Sequence, residues 1–329
     1  MSIQVGPVTI EEPVILAPMS GVSDLPFRRL VKGMGAGLVV SEMIASQAMI
    51  RQNSKTLKMA TNCAEEFPMA VQLAGCEPEV MAEAAKLNQD RGAAIIDINM
   101  GCPVKKVVNG HAGSALMREE DKAVRILEAV VKAVDLPVTL KMRTGWDDNS
   151  RNAPRLAQLA ENAGIKMITV HGRTRCQFYN GKSDWDFIAR IKEATSLPVI
   201  GNGDVVTLDD VTAIMHQSGA DGVMIGRGTY GKPWFLRQVI EFLKTGQRLP
   251  DPPVSEQYAI LRRHYTDMLE HYGRLSGMRM ARKHVSWYTK GLPKSAEFRA
   301  DINRISDPDD VLSKIDDYYK MFCDRDQAA

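Results

Sequence analysis

Residues 95–103 read Ile95-Ile96-Asp97-Ile98-Asn99-Met100-Gly101-Cys102-Pro103, an apolar run that ends in an asparagine, a glycine and a cysteine. Gly92 precedes the run and Gly-Cys-Pro closes it, so its length and bounds predict a buried strand of a parallel sheet. In barrel and open α/β enzymes, the carboxyl ends of such strands carry the reacting side chains. Cys102 is therefore the first candidate for a catalytic residue.

Short β-branched runs alternate with amphipathic stretches on both sides of this strand. The predicted strands are 14–20, 37–43, 69–74, 95–101, 137–143, 167–173, 198–204 and 222–228. The predicted helices between them include 78–90, 119–134, 154–163, 185–195 and 207–218. Eight strand-then-helix units in series favour a (β/α)8 TIM barrel of the α/β class over a doubly wound open sheet.

The pattern changes after one more predicted helix, 232–245, which would close the barrel. The segment 249–253, Leu-Pro-Asp-Pro-Pro, cannot continue a helix and reads as a linker. Beyond it, the apolar residues from Leu261 to Tyr272 fall on one helix face, and 279–290 and 309–322 also read as helices. We predict a barrel over residues 1–250 and a small all-helical domain over residues 254–329.

Composition and charge set limits on the partners of this chain. Its 329 residues carry a formal charge of only +2, so any contact with nucleic acid needs a local basic face. Five cysteines show no Cys-x-x-Cys pair and no clustering with histidine at metal-ligand spacing, so we predict neither disulfides nor a metal site. No signal-like or membrane-spanning run appears, so we expect a cytoplasmic protein without membrane contact. We also expect a monomer.

Polar residues and glycines follow the predicted strands, and they converge on one mouth because parallel strand ends share the carboxyl face of a barrel. They are Pro18, Met19, Ser20, Glu42, Gln72, Asn99, Cys102, Lys141, Arg143, His171, Arg173, Asn202, Gly203, Asp204, Gly226 and Arg227. The glycines and arginine after the last two strands fit a phosphate clamp, so we expect a phosphorylated cofactor.

Gln72 and Lys141 suit the carbonyl edge and the negative charge of a reduced flavin. A Schiff-base lysine in an aldolase-like barrel is the alternative for Lys141, but the nearby Arg143 and cysteine loop suit redox chemistry better. We expect Asp204 to brace the turn at Asn202, with only its backbone reaching the cofactor. A carboxylate such as Glu42 is expected to hold a neighbouring arginine or loop.

Motifs along nearly the whole chain resemble those of the tRNA-dihydrouridine synthases, most closely the bacterial B type. They are 17–24 (APMSGVSD), 41–43 (SEM), 71–75 (VQLAG), 97–103 (DINMGCP), 141–146 (KMRTGW), 171–175 (HGRTR), 202–204 (NGD), 225–227 (IGR) and 280–288 (MARKHVSWY). Their order and spacing together are highly specific, although each motif alone is weak. Ser20 departs from many relatives, which carry alanine there.

The resemblance implies an enzyme that holds FMN and uses NADPH to reduce the C5=C6 bond of a uridine in the D-loop of tRNA. It implies FMN contacts from Pro18, Met19, Ser20, Gln72, Lys141, His171, Asn202, Gly203, Asp204, Gly226 and Arg227. It implies that Cys102 is the proton donor and that Asn99, Arg143 and Arg173 lie near the substrate base. Hydride would enter at C6, and a thiol of ordinary pKa, about 8.5, would supply the proton at C5.

Positive charge concentrates in the predicted helical domain, at Arg262, Arg263, Arg274, Arg279, Arg282, Lys283, Lys290 and Lys294. We predict that Arg282 and Lys283 grip the tRNA backbone. An ordinary solvated helix face is the alternative for both. His284, Trp287 and Tyr288 are expected to pack in a core or between the domains and not to stack on bases.

Two other functions stay open. An FMN-dependent barrel that acts on a small molecule, of the dihydroorotate or enoate type, explains the mouth but leaves the basic helical domain without a role. A catalytically silent tRNA-binding protein is disfavoured because the cysteine, lysine, histidine and phosphate-clamp positions are all filled. No G-x-G-x-x-G fingerprint appears, so NADPH is expected to bind transiently near the flavin.

Overall fold

Parallel strands close into a ring in the computed structural model, which describes residues 2–51 and 53–326. The strands are β1 Ile3–Val5, β2 Val8–Ile10, β3 Val14–Leu16, β4 Leu38–Val40, β5 Ile44–Ala45, β6 Met69–Ala74, β7 Ile95–Met100, β8 Val138–Arg143, β9 Ile168–His171, β10 Val199–Asn202 and β11 Gly222–Ile225. The ring runs β3, β4, β6, β7, β8, β9, β10, β11 and returns to β3, with β5 as a short extension beside β6. The predicted (β/α)8 barrel is confirmed.

Helices follow the ring strands and then continue beyond the barrel. They are α1 Leu25–Lys32, α2 Ser46–Ile50, α3 Ser54–Met59, α4 Pro78–Asp90, α5 Lys105–Val108, α6 Glu120–Ala133, α7 Ala153–Asn162, α8 Trp185–Glu193, α9 Leu208–Ser218, α10 Phe235–Thr245, α11 Val254–Tyr272, α12 Arg274–Tyr288, α13 Ser295–Arg304 and α14 Pro308–Asp326. Local signals set their ends. At α9, Thr207 and Asp210 form a capping box, and Gly219, at φ +59°, ends the helix.

Several ring strands end earlier than the sequence predicts. β10 ends at Asn202 because Gly203 and Asp204 have φ values of +117° and +58°, in the left-handed region that an extended strand cannot use. β3 and β11 stop at Leu16 and Ile225. The predicted site residues at these positions therefore stand in loops above the carboxyl end of the barrel.

A short antiparallel hairpin, β1 and β2, packs against the interior residues of the ring and was not predicted from the sequence. Ile3, Val5 and Ile10 of this hairpin are buried in one cluster with Ile15 and Ile200. Three-residue strands give too few positions to show a period of two, which is why sequence patterning missed them. The hairpin covers part of the core that the barrel alone would leave open.

The C-terminal helical region, α11 to α14, has its own apolar core. The helix face predicted for α11 supplies the buried Leu261, Tyr265 and Met268. α12 begins at Arg274, earlier than the predicted residue 279, and α13 was not predicted. Gly277 permits close packing of α11 on α12, since a Cβ there would lie 2.4 Å from the Met268 carbonyl oxygen. The predicted domain limits stay predictions.

Parts of those predicted domains, namely Met1, Gln52 and residues 327–329, lie outside the described residues. Among the cysteines whose side chains are described, Cys63, Cys76, Cys102 and Cys176 are free. Within the described ranges, the structure has no cluster of side chains suited to a metal ion and no helix that is long and apolar enough to cross a membrane.

Candidate active site

A cavity of about 830 Å³ opens at the carboxyl end of the barrel. Most of the predicted site residues line it: Pro18, Met19, Ser20, Gln72, Asn99, Cys102, Lys141, Arg143, His171, Asn202, Gly203, Asp204, Gly226 and Arg227. The cavity also has walls that the sequence did not indicate, among them Tyr179 and Tyr230. Arg173, Arg282 and Lys283, which were also predicted as site residues, are not among the lining residues.

One end of the cavity is bounded by closely packed glycines. A Cβ at Gly203 would lie 2.4 Å from the Ser183 hydroxyl oxygen, and a Cβ at Gly226 would lie 3.3 Å from the Met19 sulfur. Arg227 adds a half-exposed guanidinium beside them. Peptide groups without side chains next to a cation suit the phosphate of a cofactor. The residues present therefore fit the predicted phosphate clamp.

Asp204 ties the loops of this end together. Its carboxylate accepts hydrogen bonds from both Nη atoms of Arg173, at 2.9 and 2.5 Å, from the Ser183 N–H at 2.8 Å and from Arg227 at 3.1 Å. Burial opposes ionisation, but the contacts with Arg173 and Ser183 outweigh it, so the pKa of Asp204 is lowered. The Asp204 side chain thus braces Arg173, Ser183 and Arg227, and not the turn at Asn202 alone.

Arg173 does not present a donor to the cavity. Its side chain is 2% exposed. Besides the two bonds to Asp204, it donates to the carbonyl oxygens of Asn180 and Gly181 and contacts His171 Nε2 at 3.2 Å. These contacts occupy all five N–H groups of a guanidinium. The position of Arg173 near the substrate base stays a prediction, and its guanidinium has no N–H group left to donate to that base.

The contact with Arg173 also fixes the state of His171. A guanidinium can only donate, so His171 Nε2 must accept, and the ring proton lies on Nδ1. Burial, together with the charges of Arg143 and Lys141, lowers the pKa of His171 well below its usual value. His171 therefore lines the cavity as a neutral imidazole with one N–H donor.

A chain of hydrogen bonds connects the interior of the barrel with the cysteine loop. Thr139 Oγ1 and Gln72 Nε2 donate to the Asp97 carboxylate at 2.6 and 2.7 Å. Asn99 Nδ2 donates to Gln72 Oε1 at 2.8 Å, and Asn99 Oδ1 accepts from the backbone N–H of Cys102 at 2.9 Å. This chain fixes where the cysteine backbone stands.

The side chains of Gln72 and Asn99 therefore make hydrogen bonds within the protein whether or not a ligand is bound. Each amide has spent one of its two N–H groups on this chain, and each keeps one for the cavity. Asp97 was not predicted as a site residue, although a carboxylate inside an apolar strand is a signal that can be read from the sequence. Burial raises its pKa to about 6, against the opposing hydrogen bonds from Gln72 and Thr139.

Cys102 stands at the cavity wall with its backbone held on both sides. Its carbonyl oxygen accepts from the Ser114 N–H at 3.1 Å and from the Ser114 hydroxyl at 2.9 Å. Burial raises the pKa of the Cys102 thiol, and the nearby charge of Arg143 opposes this only in part. The thiol is consequently protonated at neutral pH, which is the form that a proton donor needs.

Two buried cations face the same cavity. Lys141 Nζ lies 3.1 Å from Asn202 Oδ1, and burial together with the charge of Arg143 lowers the pKa of Lys141 to about 8. Arg143 Nε donates to the Gly101 carbonyl oxygen at 2.8 Å, and its Nη1 donates to the carbonyl oxygens of Thr174 and Phe178. Arg143 thus joins the cysteine loop to the loop after β9.

Arg282 and Lys283, which were predicted to grip the tRNA backbone, both donate hydrogen bonds to carbonyl oxygens of the protein. Arg282 Nη2 donates to the Ile305 carbonyl oxygen at 2.8 Å within the helical region. The Lys283 ammonium donates to the carbonyl oxygen of Gly21, in the barrel loop after β3. Burial lowers the pKa of Lys283. The Lys283 contact follows from the packing of α12 on the barrel, and the role of Arg282 and Lys283 toward tRNA stays a prediction.

The loop of residues 18–24 is held by both parts of the chain. The Gly21 N–H donates to the Glu42 carboxylate, so Glu42 has the structural role that was predicted. Tyr272, from α11, donates its hydroxyl to Asp24 Oδ2 at 3.0 Å. This loop carries Pro18, Met19 and Ser20 to the cavity wall. The helical region therefore positions one wall of the cavity.

Aromatic packing joins the same two parts, as predicted for the motif around residue 284. The ring of Trp287 stacks on Tyr230, at the cavity rim, with centroids 4.0 Å apart. The rings of His284 and Phe27, from α1, are 5.7 Å apart, and Tyr288 is buried. The prediction that these side chains pack between the two parts is confirmed.

A closed ring of parallel strands with a thiol-bearing cavity at its carboxyl end defines a (β/α)8-barrel enzyme. A solved structure of a morphinone reductase mutant in complex with tetrahydroNAD shares this fold, with a TM-score of 0.54 over 78% of this chain and 93% of that chain, at 15% sequence identity.

The family model for dihydrouridine synthase (Dus) matches residues 15–323. A probable tRNA-dihydrouridine synthase of Rickettsia prowazekii is 55% identical over 323 residues, which cover 98% of this chain and 99% of that protein. A tRNA-dihydrouridine synthase B of Xanthomonas campestris pv. campestris is 49% identical over 316 residues, which cover 96% and 95%. The chain belongs to the dihydrouridine synthase family. This confirms the predicted oxidoreductase of tRNA uridine and supports a flavin cofactor.

Proposed function

We propose that the chain holds FMN in the barrel cavity, takes its reducing equivalents from NADPH and reduces the C5=C6 bond of a D-loop uridine in tRNA. One observation carries this proposal. A protonated, half-buried thiol lies on the same cavity as a buried lysine and a glycine cradle suited to phosphate. A proton donor, a counter-charge and a cofactor clamp are the three components that such a reduction requires.

The residues that would hold FMN are those that line the cavity away from the cysteine. Gly203, Gly226 and Arg227 would bind the phosphate, and Gln72 and Lys141 would meet the polar edge of the ring. The remaining contacts are assigned to Pro18, Met19, Ser20, His171, Asn202 and the backbone of Asp204. Bound FMN, reduced by NADPH, would supply the hydride that enters the uracil ring at C6.

Cys102 completes the reduction on the protein side. Its Sγ holds the proton that goes to C5, the carbon that gains electron density because the double bond is conjugated with the C4 carbonyl. Asn99 and Arg143 share the cavity with the thiol, so they are the groups assigned to orient the uracil. Lys141 supplies positive charge to the cavity as long as the pH stays below its pKa of about 8.

The target base must leave the tRNA fold before it can enter this cavity. Drawing out a base costs about a few kcal/mol of stacking, so contacts elsewhere on the RNA must compensate for it. Lys105 and Lys106 lie on α5, directly after the cysteine loop, and belong to the surface assigned to the RNA backbone. The predicted monomeric state and cytoplasmic location stay predictions.

Anaerobic reoxidation tests this function. The purified protein is reduced with NADPH, unmodified tRNA is added, and the flavin absorbance is followed while dihydrouridine is assayed. Rapid reoxidation with matching dihydrouridine formation is the expected result. Flavin that stays reduced with tRNA but is reoxidised by a small enone or orotate would favour the small-molecule alternative.

A further inference from the structure

Two arginines contact the indole ring of Trp146, in the loop that follows β8. The guanidinium carbon of Arg118 lies 3.7 Å from the ring centroid of Trp146, and that of Arg175 lies 4.7 Å from the same ring. We call these three residues the Trp146 cluster. Cation–π contacts of this kind hold a guanidinium in place by its face and leave its N–H edge available.

The cluster is assembled from three separate loops, and backbone hydrogen bonds fix its geometry. The Arg175 N–H donates to the Gly145 carbonyl oxygen at 2.9 Å, and the Cys176 N–H donates to the Trp146 carbonyl oxygen at 2.8 Å. Arg118 ends the 3₁₀ helix Gly113–Arg118. The backbone therefore holds Arg175 beside Trp146, and Arg118 reaches the same ring from the end of the 3₁₀ helix.

Short connections link the cluster to the catalytic cavity. Thr174, next to Arg175, accepts a hydrogen bond from Arg143, which lines the cavity. Ser114, in the same 3₁₀ helix as Arg118, binds the carbonyl oxygen of Cys102. Through these contacts the cluster is connected to Arg143 and Cys102, two residues of the cavity wall.

The charges of the cluster lack protein partners. Within the described part of the chain, neither Arg118 nor Arg175 has a carboxylate within 4.0 Å, and the buried Nε of Arg175 has no hydrogen-bond partner. Nearby arginines differ, since Arg151 pairs with Asp184 at 2.8 Å and Arg155 pairs with Glu120 at 2.9 Å.

Asp147, which follows Trp146 in the sequence, does not pair with either arginine of the cluster. Asp147 directs its carboxylate to the Ser150 hydroxyl and the Asn149 N–H, at 2.8 and 3.0 Å. Two unpaired guanidiniums around one ring repel each other, and an anion between or beside them removes that repulsion. A phosphate matches the fork of N–H donors that a guanidinium presents.

We propose that the Trp146 cluster binds a backbone phosphate of the RNA strand next to the base that enters the cavity. This inference rests on the proposed function. The cluster follows β8, which lies opposite β3 in the ring, and the helical region contacts the loop after β3. The two contacts would hold the RNA from both sides of the cavity and help to compensate for the cost of drawing out the base.

The test measures binding of unmodified tRNA to the full-length flavoprotein over a series of salt concentrations. R118Q and R175Q are each expected to weaken binding by about three- to tenfold. The slope of log Kd against log salt is expected to fall by about 0.7 to 0.9 for each lost phosphate contact. R118K, which keeps the charge, is expected to retain most of the slope.

Arg125 provides the matched control. It is exposed on α6, is not among the residues that line the cavity, and its substitution R125Q removes the same charge. Flavin content and melting temperature show whether each variant is folded, and R118Q remains informative if R175Q is not. Equal slopes for R118Q, R175Q, R125Q and the wild type would overturn the phosphate site and leave packing as the role of the cluster.

Binding and turnover are scored separately in this experiment. Wild-type protein that binds tRNA but forms no dihydrouridine would contradict the proposed function, whereas the slopes would still decide whether the cluster binds phosphate. Wild-type protein that forms dihydrouridine, with variants of unchanged slope, would contradict only the inference drawn from the cluster.

Discussion

The two sides of the cavity mouth use their cations in different ways. On the side of β3, Lys283 is half-buried and donates to the Gly21 carbonyl oxygen, within the field of Asp24 and Glu42. On the side of β8, the guanidinium groups of Arg118 and Arg175 lie on an indole ring and have no carboxylate within 4.0 Å in the described structure. A cation whose donors are satisfied by protein fixes a loop, and a cation that keeps its donors is available to a ligand.

The thiol belongs to the side that keeps its groups available. Cys102 is anchored through its backbone, by Asn99 and Ser114, and its Sγ stays at the cavity surface. On the opposite side, the backbone of loop 18–24 is anchored by side chains from two parts of the chain. The side of Cys102 is therefore assigned to the reaction, and the side of loop 18–24 is assigned to positioning the cofactor. Substitutions on the two sides should have different effects.

The largest effect is expected from C102A. Loss of the proton donor should slow uridine reduction by about 10²- to 10⁴-fold, while NADPH still reduces the flavin at the wild-type rate. Single-turnover reoxidation of the reduced protein by tRNA measures the first rate, and stopped-flow reduction measures the second. C102A that reduces uridine at the wild-type rate would remove the reactive role from this side of the mouth.

A smaller effect is expected from K283M, which should weaken FMN binding without changing the rate of uridine reduction by the bound cofactor. Methionine keeps most of the length of the side chain but cannot hold the Gly21 carbonyl oxygen, so FMN affinity should fall about tenfold. Fluorescence titration of the flavin-free protein measures this. The salt dependence of tRNA binding should not change.

Lys290 gives the matched control for K283M, since it is exposed at the end of α12 and K290M removes one positive charge from the same region. Unchanged FMN affinity in K283M, with a salt slope reduced by about 0.7 to 0.9, would restore the original prediction that Lys283 grips the RNA backbone.

The pH dependence should also follow the reactive side. Burial raises the pKa of Cys102, so its proton is present below that pKa and is lost as the pH rises through it. Single-turnover reduction of uridine should fall by about tenfold per pH unit above the thiol pKa. Lys141, with a pKa of about 8, loses its charge earlier, so a first decline is expected near that pH. A rate that falls on acidification from pH 7 to 6 would contradict this assignment.

The smallest effect is expected from Y272F, which removes only the hydrogen bond to Asp24. FMN affinity should fall by about two- to fivefold, less than in K283M, because one neutral donor is lost from a loop that Lys283 and Glu42 still hold. Isothermal titration of FMN into both variants and the double variant checks the order. Equal effects of Y272F and C102A on uridine reduction would show that the two sides are not separate.

Sequence patterning predicted the barrel and most of the cavity wall for one physical reason. Once strands and helices alternate, every strand runs in the same direction, so residues such as Gln72, Lys141 and Gly226 must meet at the carboxyl end. Strand limits were less accurate at β10, where Gly203 turns the chain. The hairpin of β1 and β2 and the helix α13 lacked a pattern long enough to detect.

The sequence predicted less of the helical region than of the barrel. The apolar face of α11 was identified from its spacing, because that face packs within the region itself. The contact of Lys283 with the barrel was not predicted. Helical periodicity distinguishes a polar face from an apolar one, but it does not say whether a barrel loop covers the polar face. Arg173 shows the same limit within the barrel, since its partner Asp204 is 31 residues away in the sequence.

The sequence by itself determined which residues share the mouth of this barrel and which family the chain belongs to, because strand order and motif spacing are properties of the chain. Only the tertiary structure decided which of those residues keep free donors. Arg173 donates all five of its N–H groups, and Lys283 donates one, to groups brought close by folding. Arg118 and Arg175 meet at Trp146 from three separate loops. A hydrogen bond depends on distances of about 3 Å between atoms, which sequence separation does not set.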